Sequence, residues 1–300
     1  MLKLVILIIY FAVLIGIGLY CRKHATDVNG FVLGGRSVGP WLTAFAYGTS
    51  YFSAVVFVGY AGQFGWKYGI AATWAGIGNA IIGSLLAWVV LGRRTRIMSQ
   101  HLDSATMPQY FGKRFGSNPL KIGASVIIFI FLIPYTASLY NGLSRLFGMA
   151  FNIDYSVCII IMATLTAIYV IAGGYMATAI NDFIQGIIML FGIVAVIAAV
   201  IHSKGGFMSA LQGLANVSDP AVSDTPGIFA SFFGPDPFNL LCVVILTSLG
   251  TWGLPQMVQK FYAIDNEASI QKGTVISTIF ALIVLSLIHI SEPTRRVVIS

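Results

Sequence analysis

The chain has 300 residues, of which 57% are apolar and only 9% charged, whereas soluble domains run at about 45–50% and about 25%. So few charges cannot cover a water-soluble surface, and the composition selects an all-α polytopic membrane protein in contact with a lipid bilayer. The formal charge of +7 does not indicate nucleic acid, because the basic residues lie in short runs between apolar stretches and form no continuous face.

A helix crosses the hydrocarbon core with about 20 mostly apolar residues. The first candidate is Leu2 to Tyr20. Its length, the trailing Arg22 and Lys23 and the lack of a small-residue cleavage site read as a retained span and not a signal peptide. The second, Trp41 to Phe64, follows Gly39-Pro40 and carries small and hydroxylic residues from Gly48 to Ser53 near its middle. Two readings stay open there. Either the helix unwinds, which lipid tolerates only around a cavity or ion, or the small residues form a helix-packing face.

The third span, Ile70 to Leu91, holds Asn79 as the only amide in its apolar run; a buried amide needs partners, from a solute or from a neighbouring helix. The fourth, Leu120 to Ala150, contains Tyr135 and Tyr140. Tyr155 to Ala172 and Ala179 to Ile201 are the fifth and sixth. Asp182, at the start of the sixth, is either a functional acid, since burying it is expensive, or a cap favouring the helix N-terminus. The stretch His202 to Pro237 collects Asp219, Pro220, Asp224, Pro226, Pro235, Asp236 and Pro237 and reads as an external loop.

The seventh span, Phe238 to Phe261, includes Ser248, Thr251 and Trp252; Trp252 and the tyrosines also suit interfacial anchoring. The eighth, Thr274 to Ile288, is short and runs into polar residues. Because Ser286 to Arg295 resembles a translated sequencing adaptor, residues 288–300 are expected to be a non-native tail and 1–287 a partial membrane domain.

One set of alternate loops collects Arg22, Lys23, Arg36, Arg93, Arg94, Arg96, Lys113, Arg114, Lys121, Lys260 and Lys272; the other has Lys3, Lys67, Arg145 and Lys204. The positive-inside rule puts the first set in the cytoplasm and the amino terminus outside. Cys21, Cys158 and Cys242 have no metal or redox spacing, the histidines do not pair, and no hydrolase motif or phosphate loop occurs. Neither an enzyme nor a cofactor is expected.

Four motifs in order carry a family resemblance: Phe31-Val32-Leu33-Gly34-Gly35-Arg36-Ser37, Thr106-Met107-Pro108-Gln109-Tyr110-Phe111-Gly112-Lys113-Arg114-Phe115, Gly173-Gly174-Tyr175-Met176-Ala177 with Asp182 and Gln185, and Trp252-Gly253-Leu254-Pro255-Gln256. With the spans, they make residues 1–287 resemble the sodium/solute symporter family of sodium/proline, sodium/pantothenate and sodium/sugar transporters. The resemblance implies a LeuT-type inverted-repeat fold, with the first repeat and the start of the second present, and sodium-coupled symport of a small organic solute by alternating access.

It further implies sodium held by carbonyls near Thr49 and Phe52, with Ser50 or Ser53 hydroxyls assisting and Asp182 on the inner exit route. Solute contacts are implied at Tyr51, Val56, Asn79, Tyr135, Tyr140, Ser248, Thr251 and Trp252. Two departures stand out: Val55 and Val56 occupy positions that are polar in sodium/sugar symporters, and Tyr51 replaces an acid of the sodium/proline ones. Alternatives are a sodium-independent transporter, a channel or a transporter-like sensory domain. Lacking most of a second repeat, the 300 residues alone are expected not to drive coupled uptake.

Overall fold

The computed structural model describes residues 2–52, 61–203, 205–217, 219–223 and 225–299. Helix α1 (Leu2–Cys21) is followed by the short α2 (Val28–Leu33), whose N-cap Asp27 accepts from the Gly30 N–H. Helix α3 (Pro40–Tyr51) starts on Pro40, where a missing N–H costs nothing. It stops at Tyr51, since Phe52 leaves the helical region at φ −95°, ψ 61°. Helix α4 (Ala61–Tyr68) then ends at a turn through Gly69, and α5 (Thr73–Gly78) opens the next span.

That span continues as wide π-helical turns over Asn79–Leu86 and Trp88–Gly92 into α6 (Arg93–His101), further than the expected end at Leu91. Helix α7 (Met107–Phe115) has a Thr106 cap and leads into the 34-residue α8 (Asn118–Phe151).

Helix α9 (Tyr155–Ser203) is 49 residues long, about 74 Å at 1.5 Å per residue, against a hydrocarbon core of about 30 Å. Gly174, at φ 57°, ψ −149°, divides it. Before the break Tyr169 packs on Gly18 of α1; after it Phe183 meets Phe45, and Gly186 meets Phe45 and Thr49 of α3. The two arms correspond to the fifth and sixth expected spans, and Asp182 lies inside the second arm, away from any helix cap.

The expected external loop is partly helical. Helix α10 (Phe207–Ala215) buries Ala210 and Leu214, and buried Phe229 closes over the Gly69 turn. Helix α11 (Pro237–Gly250) passes through a 3₁₀ turn, Thr251–Gly253, to α12 (Pro255–Ala263) with a 53° bend. The chain closes with α13 (Glu267–Ile299), which continues as helix through the polar segment expected to stop the eighth span.

The core lies among α3, the π-helical span, α12 and α13. Trp88 contacts Tyr47 and Phe261 with ring centroids 5.5 and 5.1 Å apart, and Phe45 meets Phe280 at 5.0 Å; such pairs each contribute about 0.5–1.5 kcal/mol beyond their buried area. Large apolar side chains on α1, α8 and α9 point outward instead, as lipid-facing helices require.

Two antiparallel interrupted helices

The entry of α3 and the exit of α12 lie side by side: the Val38 N–H donates to the Ala263 carbonyl at 3.3 Å, and the Asp265 N–H donates to the Val38 carbonyl at 3.1 Å. Along the third span the α3 segment runs from Arg36 beside Ser99 to Tyr51 beside Asn79, whereas the α12 segment runs from Trp252 beside Ile82 to Ile264 beside Arg96, so the two helices run in opposite directions. Each is interrupted part-way, at Phe52 and at Leu254. The second interruption was not anticipated. Pro255 supplies its cause, because proline pushes the residue before it out of helical geometry, and Leu254 is extended at φ −68°, ψ 126°.

A polar knot joins the interruptions. The Tyr51 hydroxyl donates to Asn79 Oδ1 at 2.6 Å and approaches the Thr247 carbonyl at 3.3 Å. Asn79 Nδ2 donates to the Ala75 carbonyl at 2.7 Å and to Thr247 Oγ1 at 2.9 Å. One amide thus links three spans, and the interhelical reading of Asn79 describes its contacts. Gly83 makes room for the knot, since a Cβ there would overlap the Tyr51 hydroxyl. Thr247 was overlooked in the sequence, although it is a hydroxyl one helical turn from Thr251 inside an apolar run.

The other expected residues divide into two groups. Trp252 donates through Nε1 to the Ile82 carbonyl at 3.0 Å, Thr251 Oγ1 donates to the Ser248 carbonyl at 2.9 Å, and the Ser248 hydroxyl is buried with no partner among the described residues; all three lie at the α11–α12 bend. Tyr135 and Tyr140 sit on α8, which packs on α7 and α9, so the structure does not bring them to the knot. A sequence marks a tyrosine in a span without marking the face it turns to.

On the ion side, Thr49 Oγ1 donates back to the Phe45 carbonyl at 2.9 Å, and the Phe52 N–H donates to the Gly48 carbonyl at 2.9 Å. The carbonyls of α3 that follow Gly48 belong to the last turn of a helix, the turn whose carbonyls are open to partners other than helical N–H groups. Ser50 is half-buried on the same turn, while Ser53, Ala54, Val55 and Val56 lie outside the described residues. Asp182 is one turn from Gly186, the residue against Thr49. It pairs with Lys260 of α12 at 3.4 Å, a partner not anticipated from sequence.

The knot makes a measurable prediction. Tyr51→Phe should lower stability by about 1 kcal/mol, and Asn79→Leu by more because it strips two acceptors and a donor of partners. The double variant should cost less than the sum. Thermal midpoints of the purified proteins in detergent check this, and strict additivity would show that the groups do not interact.

The family model described as the sodium:solute symporter family matches residues 31–294. The osmoregulated proline transporter OpuE of Bacillus subtilis is 31% identical over 261 residues, 86% of this chain and 51% of its own length. The sodium/proline symporter of Staphylococcus aureus is 32% identical over 283 residues, 90% of this chain and 51% of its own length. The chain therefore spans about half the length of the curated relatives it matches. In fold it is similar to a solved Na⁺-coupled sialic acid symporter in a substrate-bound outward-open state, with a TM-score of 0.79 and 17% identity over 99% of this chain and 60% of that one. The relatives are transporters and not enzymes, and with the model covering all but its first 30 and last few residues, the chain belongs to the sodium:solute symporter family.

Proposed function

We propose that these residues form the first repeat and the opening of the second repeat of a plasma-membrane symporter that couples sodium entry to uptake of a small organic solute. The observation that carries this is the meeting of two interrupted, antiparallel helices inside an apolar bundle. Non-helical backbone at such depth is tolerated where it lines a protein cavity, and helix ends there present carbonyls to a cation and N–H groups to an anion.

In this reading the carbonyls of Thr49 and Phe52 hold sodium, the Ser50 and Ser53 hydroxyls assist, and Asp182 marks the inward exit. A hard monovalent cation suits several neutral oxygens, each replacing one of its waters. The solute sits beside it against Tyr51, Asn79, Ser248, Thr251 and Trp252, with the knot fixing the shape of that wall; Val56 is a further contact. The basic end carrying Arg36, Arg96 and Lys260 faces the cytoplasm, which leaves the amino terminus outside.

Sodium stabilises the outward-facing state, and by linkage solute tightens sodium by the same factor that sodium tightens solute. Rocking one bundle against the other then releases both inside. The relatives' names make proline the first solute to test, while Tyr51 in place of an acid argues for a site that differs from theirs in detail.

The test is uptake of labelled proline, other amino acids, sugars and carboxylates into proteoliposomes under a sodium gradient. The full-length protein containing these residues should accumulate one of them, and the 300 residues alone should not. Flux that dissipates a solute gradient without accumulation would indicate a channel, and binding without flux a sensory domain. Thr49→Pro or Asp182→Ala in the full-length protein should raise the sodium concentration required for uptake. Unchanged sodium dependence in both would reject these positions.

A further inference from the structure

Asp182 does not stand alone. Lys260 Nζ lies 3.4 Å from its Oδ2 and 5.2 Å from the centre of the Tyr175 ring, with the lysine side chain 7% and the aspartate side chain 23% exposed. Among the described residues the only other ion pair, Arg93 with Glu267, is at the surface with both side chains at least half exposed. A buried lysine in a span of this kind is costly unless paired, so its placement over a carboxylate and an aromatic face is a built feature.

The pair also has a position. Asp182 is one turn from Gly186 on the same helix face, and Gly186 packs against Thr49 at the end of α3. Lys260 is on α12, beyond the 53° bend at Leu254 and one turn from the end where Arg36 holds the Tyr262 carbonyl. A carboxylate about 6 Å along the helix from the residue beside the α3 break is thus covered by a cation mounted on a separate, bent segment. At 3.4 Å the contact is longer than the about 2.7–2.9 Å of a tight ammonium–carboxylate bond, so a small tilt of α12 parts the two groups.

Resting on the proposed sodium coupling, we infer that Lys260 is a tethered counter-cation: it occupies Asp182 while the inner end of the bundle is closed and withdraws with α12 before sodium uses that carboxylate. The ammonium and the ion carry the same charge and compete for one acid. Tilting α12 about Leu254 therefore exchanges an internal cation for a transported one, without leaving the carboxylate uncompensated. Lys260 is a positioning residue in this scheme and touches no solute.

The probe is ²²Na⁺ binding to the purified full-length protein. Lys260→Met removes the competitor and should tighten sodium by about tenfold, equivalent to about 1.4 kcal/mol, whereas Lys260→Arg keeps a cation and should stay close to wild type. Adding Asp182→Asn to Lys260→Met should abolish the gain. If Lys260→Met does not fold, Lys260→Gln, neutral and of similar length, reads the same quantity.

A lysine that only stabilises the fold would lower the thermal midpoint on substitution and leave the sodium affinity of the surviving folded protein unchanged or weaker. That result overturns the inference. Wild-type protein that binds no ²²Na⁺ would overturn the sodium coupling itself, so the two failures are distinguishable.

Discussion

Gly174→Ala is expected to remove most of the folded protein. At φ 57°, ψ −149° the residue occupies a region open essentially to glycine, where any other residue is strained by about 1–3 kcal/mol. Space forbids a side chain as well, since a Cβ would lie 2.7 Å from the Phe31 carbonyl oxygen and 3.1 Å from its Cα, and backbone cannot step aside as a flexible side-chain tip does. Together these put the loss on the order of 4 kcal/mol, among the largest single-residue effects. The comparison is Gly192→Ala in the same helix, where an added Cβ meets nothing within 4 Å and better helix propensity favours alanine. Thermal midpoint and monodisperse yield in detergent check the pair; equal values for the two variants would reject a structural break at Gly174.

Gly174 also shows what the sequence made readable. The bilayer permits few solutions, and hydropathy left Gly173 and Gly174 between the expected fifth and sixth spans, where the helix breaks. The interruption of the second span was legible as one of two readings because hydroxyl and glycine residues replaced Leu or Val from Gly48 to Ser53. Its counterpart at Leu254 carried an equally visible Pro255, yet a seventh span of adequate length hid the bend. Contacts between distant segments were not legible: Lys260 and Asp182 are 78 positions apart, and Thr247 meets Asn79 from 168 positions away. Side-chain direction was the remaining gap. Tyr135 and Tyr140 fell in a span as expected, but the packing of α8 on α7 and α9 turns on details of shape that a hydropathy pattern does not encode.

Substituting Arg36 should have the second largest effect, because one guanidinium closes the end of the bundle where α3 begins and α12 finishes. It donates to the Ser104 carbonyl at 2.8 Å, to Ser99 Oγ at 3.2 Å, to the Ser99 carbonyl at 3.3 Å and to the Tyr262 carbonyl at 3.2 Å. These bonds tie the approach to α3 to the end of α6 and the end of α12. Arg96 adds a parallel clasp on the Ile264 and Asp265 carbonyls at 2.6 and 2.9 Å. Burial draws the Arg36 pKa down from its ordinary value while nearby Asp103 opposes this, yet arginine starts so far above neutrality that the fork stays charged. Arg36→Ala strips charged donors from three buried carbonyls and should cost about 3 kcal/mol. Arg36→Lys should recover little of it, because an ammonium is a point charge that cannot span acceptors on both sides of a planar fork. Hydrogen exchange at Val38 and Asp265, whose main-chain bonds sit beside the fork, should accelerate in both variants before global unfolding does. If Arg36→Lys matches wild type in thermal midpoint and in exchange at those two amides, charge alone holds this end, and the two interrupted helices are kept in register by packing and not by this clasp.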